Sequence, residues 1–427
     1  MRIDIIDLGM NGEGVGKIDG KVTLVDFTLP SESADVEIVK NYKNYMLARA
    51  SEILSASNKR VNPPCKYFYI CGGCNLQHMC YPLQLEFKTE LIRKTIKKIA
   101  GIDCFVENTV ACNNQYNYRN KASFNYRGLH AGFYKTNSHE IVDIDECKIC
   151  TQAINEVFAI FNQYIKQNNL ESFIKHLVVR ELNSQILIGV VTNKHININS
   201  LYNILLDNSN LGILQTKKFG IYQIVNTRRD SVVLKGKVYF VAGIKEIEIH
   251  NFGLTYFVDL IGFHQTNIDI QNKIYQCVLE YISPNEIVVN GFSGAGLLSG
   301  IISSKAKHVY GIEIDKSSHL SAQKLKNDNK IENLTNILGD FNKEIEKITK
   351  YDTLVLDPSK KGLGKSILEK LMRAKKIIYI SCNPIALAKD LNYLKDYFSI
   401  EKIIPFDMFP NTKIVETVVI LKNKEKL

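Results

Sequence analysis

No uninterrupted apolar run in the 427 residues reaches the length needed to cross a bilayer. The N-terminal stretch MRIDIIDLGMNGEG lacks the basic, apolar and small-residue order of a signal peptide. The expected location is therefore the cytoplasm, where thiols stay reduced, and a disulfide framework is excluded. Internal repeats and low-complexity tracts are also missing. With 45% hydrophobic and 23% charged residues, the composition excludes a disordered chain.

What is present narrows the reading. The length exceeds one ordinary core and predicts two or three domains. A formal charge of +10 favours an anionic partner, because Lys and Arg release counterions from phosphates. Ten cysteines in a reducing compartment are ligands, nucleophiles or core residues.

Four regions follow along the chain. Residues 1–56 alternate short apolar runs with turn signals at Gly12, Gly14, Gly16 and Pro30, the pattern of a small β-barrel. Residues 57–80 form a loop rich in Cys, Pro, Gly and Asn. A mixed region follows, with a helix expected over 85–99 and strands over 174–179 and 185–191. From about residue 268, strands expected at 286–290, 308–314, 353–357 and 377–382 alternate with helices near 297–303, 317–329, 366–374 and 385–397. That order predicts a parallel sheet with helices on both faces and ligands at the carboxyl ends of its strands.

The first of these strands runs into Asn290-Gly291-Phe292-Ser293-Gly294-Ala295-Gly296 and a helix, where glycines admit a ligand against the backbone. The second ends in Glu313, placed to accept hydrogen bonds from two ribose hydroxyls. NAD and S-adenosylmethionine both fit this pair of signals. Asp357-Pro358 and Cys382-Asn383-Pro384 at later strand ends are not expected of a dehydrogenase.

A lone cysteine ending an apolar strand is ordinarily a small buried hydrophobe. Cys382 differs because it faces the expected cofactor cleft. Glu416 is a charge inside the apolar run around Val415 and Val418-Val419-Ile420, costly unless paired or working. A thiol with a carboxylate suits methylation at carbon 5 of uracil. The thiolate adds at carbon 6, carbon 5 gains carbanion character and takes the methyl group, and the base removes its hydrogen.

Cys65-x5-Cys71-x2-Cys74 with a remote Cys147 can hold a 4Fe–4S cube. The rival is zinc on Cys71, Cys74, Cys147 and Cys150, which leaves Cys65 idle. Cys80 fits either set less well, and Cys104, Cys112 and Cys277 read as packing residues. The stretch 116–127 interleaves tyrosines and Phe124 with Arg119, Lys121 and Arg127, which suits stacking on bases while neutralising phosphates. An amphipathic strand with an aromatic core face explains the same pattern.

At these residues the chain resembles the RNA (uracil-5-)-methyltransferases, in particular the 23S ribosomal RNA branch with an iron–sulfur cluster. Ser381-Cys382-Asn383-Pro384 is similar to the family's nucleophile motif, and 407–416 to its general-base signature. Phe263-His264-Gln265-Thr266-Asn267 resembles a segment whose glutamine touches S-adenosylmethionine. The resemblance implies an α/β fold: a Rossmann-like class I methyltransferase domain over 266–427, a central α+β domain over 57–265 and an OB-like TRAM barrel over 1–56. It implies Cys382 as nucleophile and Glu416 as base, with Gln265, Phe292, Gly294, Glu313 and Asp357 lining the cofactor. A 4Fe–4S cluster falls on Cys65, Cys71, Cys74 and Cys147, and RNA on Phe263, Arg119, Lys121 and Arg127. The implied partner is 23S ribosomal RNA, with no membrane and no DNA. The alternatives are a transfer RNA enzyme, whose bacterial form usually lacks the barrel and cysteines, and a non-catalytic ribosome assembly factor. The chain departs from the pattern at Asn290, Ser293, Ser359-Lys360, Asn411 and Ile414, where the family usually has Asp, Cys, Pro-Arg, His and His.

Overall fold

The computed structural model describes residues 1–208, 213–228 and 232–426. Among them, no helix is long and apolar enough to cross a membrane. The N-terminal six-stranded sheet runs Arg2–Asp4, Ser33–Asn41, Tyr45–Ser55, Lys21–Asp26, Gly14–Ile18, Asp7–Leu8. Its two edge strands, Arg2–Asp4 and Asp7–Leu8, are nearly continuous in the chain, so the sheet closes into a barrel. Gly14 permits the closure: a Cβ there would meet Thr28 Oγ1 at 2.1 Å and Ile5 Cγ2 at 2.7 Å. Alternating residues such as Ile3, Ile18, Val25 and Val36 fill the interior.

The central sheet has seven strands in the order Lys237–Gly243, Lys218–Val225, Gln185–Thr192, Ile174–Leu182, Lys121–Arg127, His130–Tyr134, Ile141–Asp143. One face packs on helix Gln152–Gln167 through Phe124, Phe158, Phe161 and Val179. The stretch expected to stack on RNA bases is largely this core. Phe124 is fully buried and stacks on Phe158 at 4.1 Å, while Tyr126 is buried and donates to Asn162 Oδ1 at 2.6 Å. Period-two alternation put the aromatics on the inner face, and burial of large rings outweighs their use at the surface.

The C-terminal sheet contains β1 (Ile287–Gly291), β2 (His308–Glu313), β3 (Leu334–Leu338), β4 (Thr353–Leu356), β5 (Lys376–Ser381), β6 (Phe398–Phe406) and β7 (Glu416–Asn423). Their spatial order is β3-β2-β1-β4-β5-β7-β6. The first five are parallel, as expected, but β7 is antiparallel to both β5 and β6. The short return from β6 to β7 has no crossover helix and so can only reverse direction. The helix expected over 366–374 is broken into Lys365–Leu368 and a 3₁₀ turn at Leu371–Arg373.

Helix Tyr81–Ala100 starts with Pro82 in its first turn and stops at Gly101, whose φ of 67° is left-handed. Its stripe of Phe87, Leu91, Ile92 and Ile96 buries against the C-terminal sheet and Leu387, Leu391 and Leu394. In space this helix belongs to the C-terminal half.

Candidate active site

Ser381 and Thr417 face each other across β5 and β7. The next residue outward on each strand is Cys382 and Glu416, so antiparallel register alone brings them to one sheet end. Asp357 follows β4, whose Leu356 pairs with Tyr379 of β5. Asn383 fixes the turn after the cysteine. Its side chain caps helix Pro384–Leu394 by accepting from Ile385 N at 3.1 Å, and donates to Lys360 O at 2.8 Å.

The electrostatics are those of crowded, buried acids. Glu416 is buried, and desolvation followed by the charge of Asp357 pushes its carboxyl up to about 8, with Lys360 opposing. Burial pushes Asp357 up to about 7. The half-buried Cys382 thiol rises to about 11 through burial, then Glu416 and Asp357, again opposed by Lys360. Lys360 is thus a cation at the site whose role only the fold makes visible.

The segment before Glu416 is held from three sides. Asp407 is fully buried against Lys88 and accepts from Tyr81 Oη at 2.8 Å. Asn411 is buried in a left-handed conformation, φ 68°. Its N–H reaches Gln84 Oε1 at 2.9 Å, and its carbonyl takes N–H bonds from Asn75 and Leu76 at 3.1 and 3.0 Å. Lys413 N donates to Asn75 Oδ1 at 2.8 Å, and Asn75 Nδ2 donates to the barrel's Asn11 O at 3.2 Å.

A second group of site residues lies at the ends of β1 and β2. Phe292, Gly294 and Gly296 all have positive φ, and a Cβ on Gly296 would meet Ala322 Cβ at 2.7 Å. Glu313 Oε2 accepts from Gly294 N at 2.8 Å and Oε1 from Asp315 N at 2.7 Å, so the acid braces the glycine turn. Asn290 is buried and donates to Ser299 Oγ at 2.8 Å. Nearby, Asn336 Oδ1 is buried with no partner. A glycine-lined turn, an acid at the neighbouring strand end and an unpaired buried acceptor fit an adenosine-bearing ligand.

Gln265 and Phe263 lie on the segment leading into this half. Phe263 is 80% exposed, and Gln265 O accepts from Asn120 Nδ2 at 3.1 Å. Of the cations expected to meet RNA, Arg127 is exposed. Lys121 is turned inward, its Nζ on Leu260 O at 3.1 Å and its pKa lowered to about 8, chiefly by burial. Arg119 folds back, its Nε on Lys121 O at 3.0 Å, with its charge acting on Cys147 and Cys150.

The loop 57–80 lies across the end of the His130–Tyr134 hairpin, Gly72 N bonding Tyr134 O at 2.9 Å. The thiols of Cys65, Cys71, Cys74 and Cys147 are close enough for their charges to act on one another. Burial pushes Cys74 up to about 12, whereas the Cys150 thiol's hydrogen bond lowers Cys147. Cys150 is fully buried. Among the described residues, no group of three His, Cys, Asp or Glu closes tightly enough to hold a metal ion. A cube-shaped cluster spreads its thiolates over separate corners, whereas zinc draws four sulfurs onto one ion. Neighbouring thiols are a donor set whose chemistry suits either group.

This sheet order, with a glycine turn after the first strand and an acid after the second, defines a class I S-adenosylmethionine-dependent methyltransferase. The family model described as tRNA (Uracil-5-)-methyltransferase matches residues 80–424, and the TRAM domain model matches 1–50. The chain belongs to the tRNA (uracil-5-)-methyltransferase family and is an S-adenosylmethionine-dependent RNA uracil-5-methyltransferase. It is 33% identical over 443 residues to an uncharacterised RNA methyltransferase of Clostridium tetani, covering 98% of this chain and 95% of that one. An uncharacterised RNA methyltransferase of Clostridium acetobutylicum is 31% identical, covering 100% and 97%. Among solved structures, the Pyrococcus abyssi tRNA (uracil-54, C5)-methyltransferase in complex with S-adenosyl-L-homocysteine superposes with a TM-score of 0.81. It is 26% identical, covering 99% of each chain.

Two residues that sequence reasoning passed over are Arg180 and Asn120. Arg180 carried a partial signal, a charge directly after the apolar run 177–179.

Proposed function

We propose that this chain methylates carbon 5 of a uridine in 23S ribosomal RNA through a covalent adduct to Cys382. The observation carrying this is the convergence of Cys382, Glu416 and Asp357 at one sheet end. Cys382 thiolate bonds to carbon 6, and the C5–C6 electron pair moves into an enolate on the 4-oxygen. Bound S-adenosylmethionine supplies an electrophilic methyl group and a positive charge that favours the ionised forms of its acidic neighbours. Carbon 5 takes the methyl group, Glu416 carboxylate accepts the proton from carbon 5, and re-formation of the C5–C6 double bond expels the thiolate. Lys360, beside both groups, favours the thiolate and the carboxylate.

Gln265, Phe292, Gly294, Glu313 and Asp357 would hold the methyl donor. Cys65, Cys71, Cys74 and Cys147 would hold a 4Fe–4S cluster whose part is structural, since methylation of a nucleophilic carbon needs no radical. The uridine must leave any stem to present carbon 6, and the exposed Phe263 suits stacking on a flipped base.

A second reading, a transfer RNA substrate, is favoured by the similarity along the whole chain to the Pyrococcus enzyme. A barrel therefore does not argue against transfer RNA. Labelled S-adenosylmethionine offered with separated ribosomal and transfer RNA distinguishes the two. RNA carrying 5-fluorouridine at the target should trap a denaturation-resistant complex with the parent chain. The same band with Cys382→Ala would remove Cys382 as nucleophile, and failure to label any RNA would retire the catalytic reading in favour of an assembly factor.

A further inference from the structure

Arg180 is 1% exposed on strand Ile174–Leu182, preceded by Leu177-Val178-Val179 and paired across the sheet with Leu187 and Lys121. Among the described residues it has no carboxylate ion-pair partner. Its Nη1 donates to Asp259 O and its Nη2 to Gly262 O, each at 2.7 Å. A guanidinium taken out of water onto two neutral carbonyls is an expensive way to fill a core position. Burial lowers its pKa to about 10, with the charge of Asp259 opposing.

Other groups hold the rest of this segment. Lys121 Nζ takes Leu260 O at 3.1 Å, Asn120 Nδ2 takes Gln265 O at 3.1 Å, and Asn120 N takes Thr266 O at 3.0 Å. His264 is stacked on Tyr256 and lies 3.2 Å from its hydroxyl. The carbonyls of 259, 260, 262, 265 and 266 are thus all captured, while Ile261 and Phe263 point outward, 48% and 80% exposed. The planar fork of Arg180 fixes two of these carbonyls, three residues apart, from one side chain.

We propose that Arg180 is a positioning residue that preorganises the 259–266 segment for binding RNA through Phe263 and the methyl donor through Gln265. The inference rests on the reading of those two residues given under the proposed function. A stiff segment meets its ligands without an ordering cost, so the effect belongs in affinity rather than in turnover at saturation.

The test uses Arg180→Met and Arg180→Lys in the full chain. Arg180→Met relieves the desolvation of a buried charge but leaves the Asp259 and Gly262 carbonyls without donors, so its melting temperature is expected to stay near the parental one. Its KM for RNA should rise about tenfold with kcat at saturation little changed, Arg180→Lys falling between. In a Phe263→Ala background, Arg180→Met should add little to the RNA KM. Dissociation constants for S-adenosylhomocysteine should rise in parallel, a readout independent of any RNA substrate. A lower melting temperature with unchanged KM and cofactor affinity would make Arg180 an ordinary core residue, as would full additivity with Phe263→Ala. A parent chain that methylates no RNA would instead overturn the functional reading, leaving the cofactor measurement to decide on Arg180.

Discussion

Glu416, the proposed base, is kept protonated near neutrality by the fold. Its carboxyl sits at about 8 in the folded chain against an ordinary value of 4.5. Between those values the folded state holds a proton that the unfolded state has released, so stability declines as pH rises across that window. Glu416→Gln removes this decline. The variant should match the parent near pH 4 and be the more stable above about pH 8, as read by urea denaturation across pH. It should also accumulate methylated adduct on unmodified RNA, because the step it blocks follows methyl transfer. Turnover at the parental rate would take Glu416 out of the chemistry. Cys382, Glu416 and Glu313 could be picked out in the sequence because each is chemically discordant with, or terminal to, an apolar strand. Lys360 could not, since a lysine in a loop carries no such signal. Arg119 and Lys121 were legible as cations but not as inward-turned ones, because direction is set by the carbonyls they meet.

At the scale of elements, helix Tyr81–Ala100 is the clamp on the loop that delivers Glu416. Lys88 and Asp407 have fully buried side chains, with Tyr81 on the second carboxylate oxygen and Lys88 Nζ also on Phe409 O at 3.1 Å. Truncating one partner leaves the other charge buried and unpaired. Lys88→Ala is expected to cost about 3–5 kcal/mol in urea unfolding. Lys88→Met with Asp407→Leu should recover much of that stability. No recovery would mean that the pair supplies more than charge balance. The helix itself was readable from its apolar spacing, but its docking on the C-terminal sheet was not. A stripe shows that a helix has a partner without naming it. The strand rhythm of the C-terminal half was likewise readable, as was the apolar run around Glu416 that becomes β7. Its antiparallel direction follows from the tight return, which hydrophobic pattern does not encode.

Across the whole molecule, the cysteine loop joins the barrel, central sheet and base-bearing loop through Asn11, Tyr134 and Asn411. If the four thiols hold a cluster, anaerobically purified protein should contain about four irons and four sulfides per chain, with a broad brown absorbance. Stoichiometric zinc would favour the set containing Cys150. The barrel cannot simply be deleted to test its RNA grip. Its Leu29 is part of the core shared with Leu76, Met79 and Phe87, and Glu32 is buried against Arg60 at 2.6 Å. Charge reversal is the cleaner probe. Lys40 and Lys43 lie exposed at a hairpin tip beside the stacked Tyr42 and Tyr45. Lys40→Glu with Lys43→Glu should weaken RNA binding and flatten its salt dependence by about 0.7–0.9 in log–log slope for each phosphate no longer neutralised. S-adenosylhomocysteine affinity should not move, and an unchanged slope would remove this tip from the RNA path.

The placement of β7 between β5 and β6 has a temporal consequence. Residues 416–423 are the last strand of the sheet to leave the ribosome, yet they occupy an interior slot rather than an edge. Until they arrive, Lys376–Ser381 and Phe398–Phe406 each present an open, apolar edge to the solvent. Nascent chains stalled before residue 416 therefore carry the proposed nucleophile without its proposed base, and two templates for wrong pairing. Catalytic competence and protection from aggregation are acquired in the same folding event, when the final strand slides home.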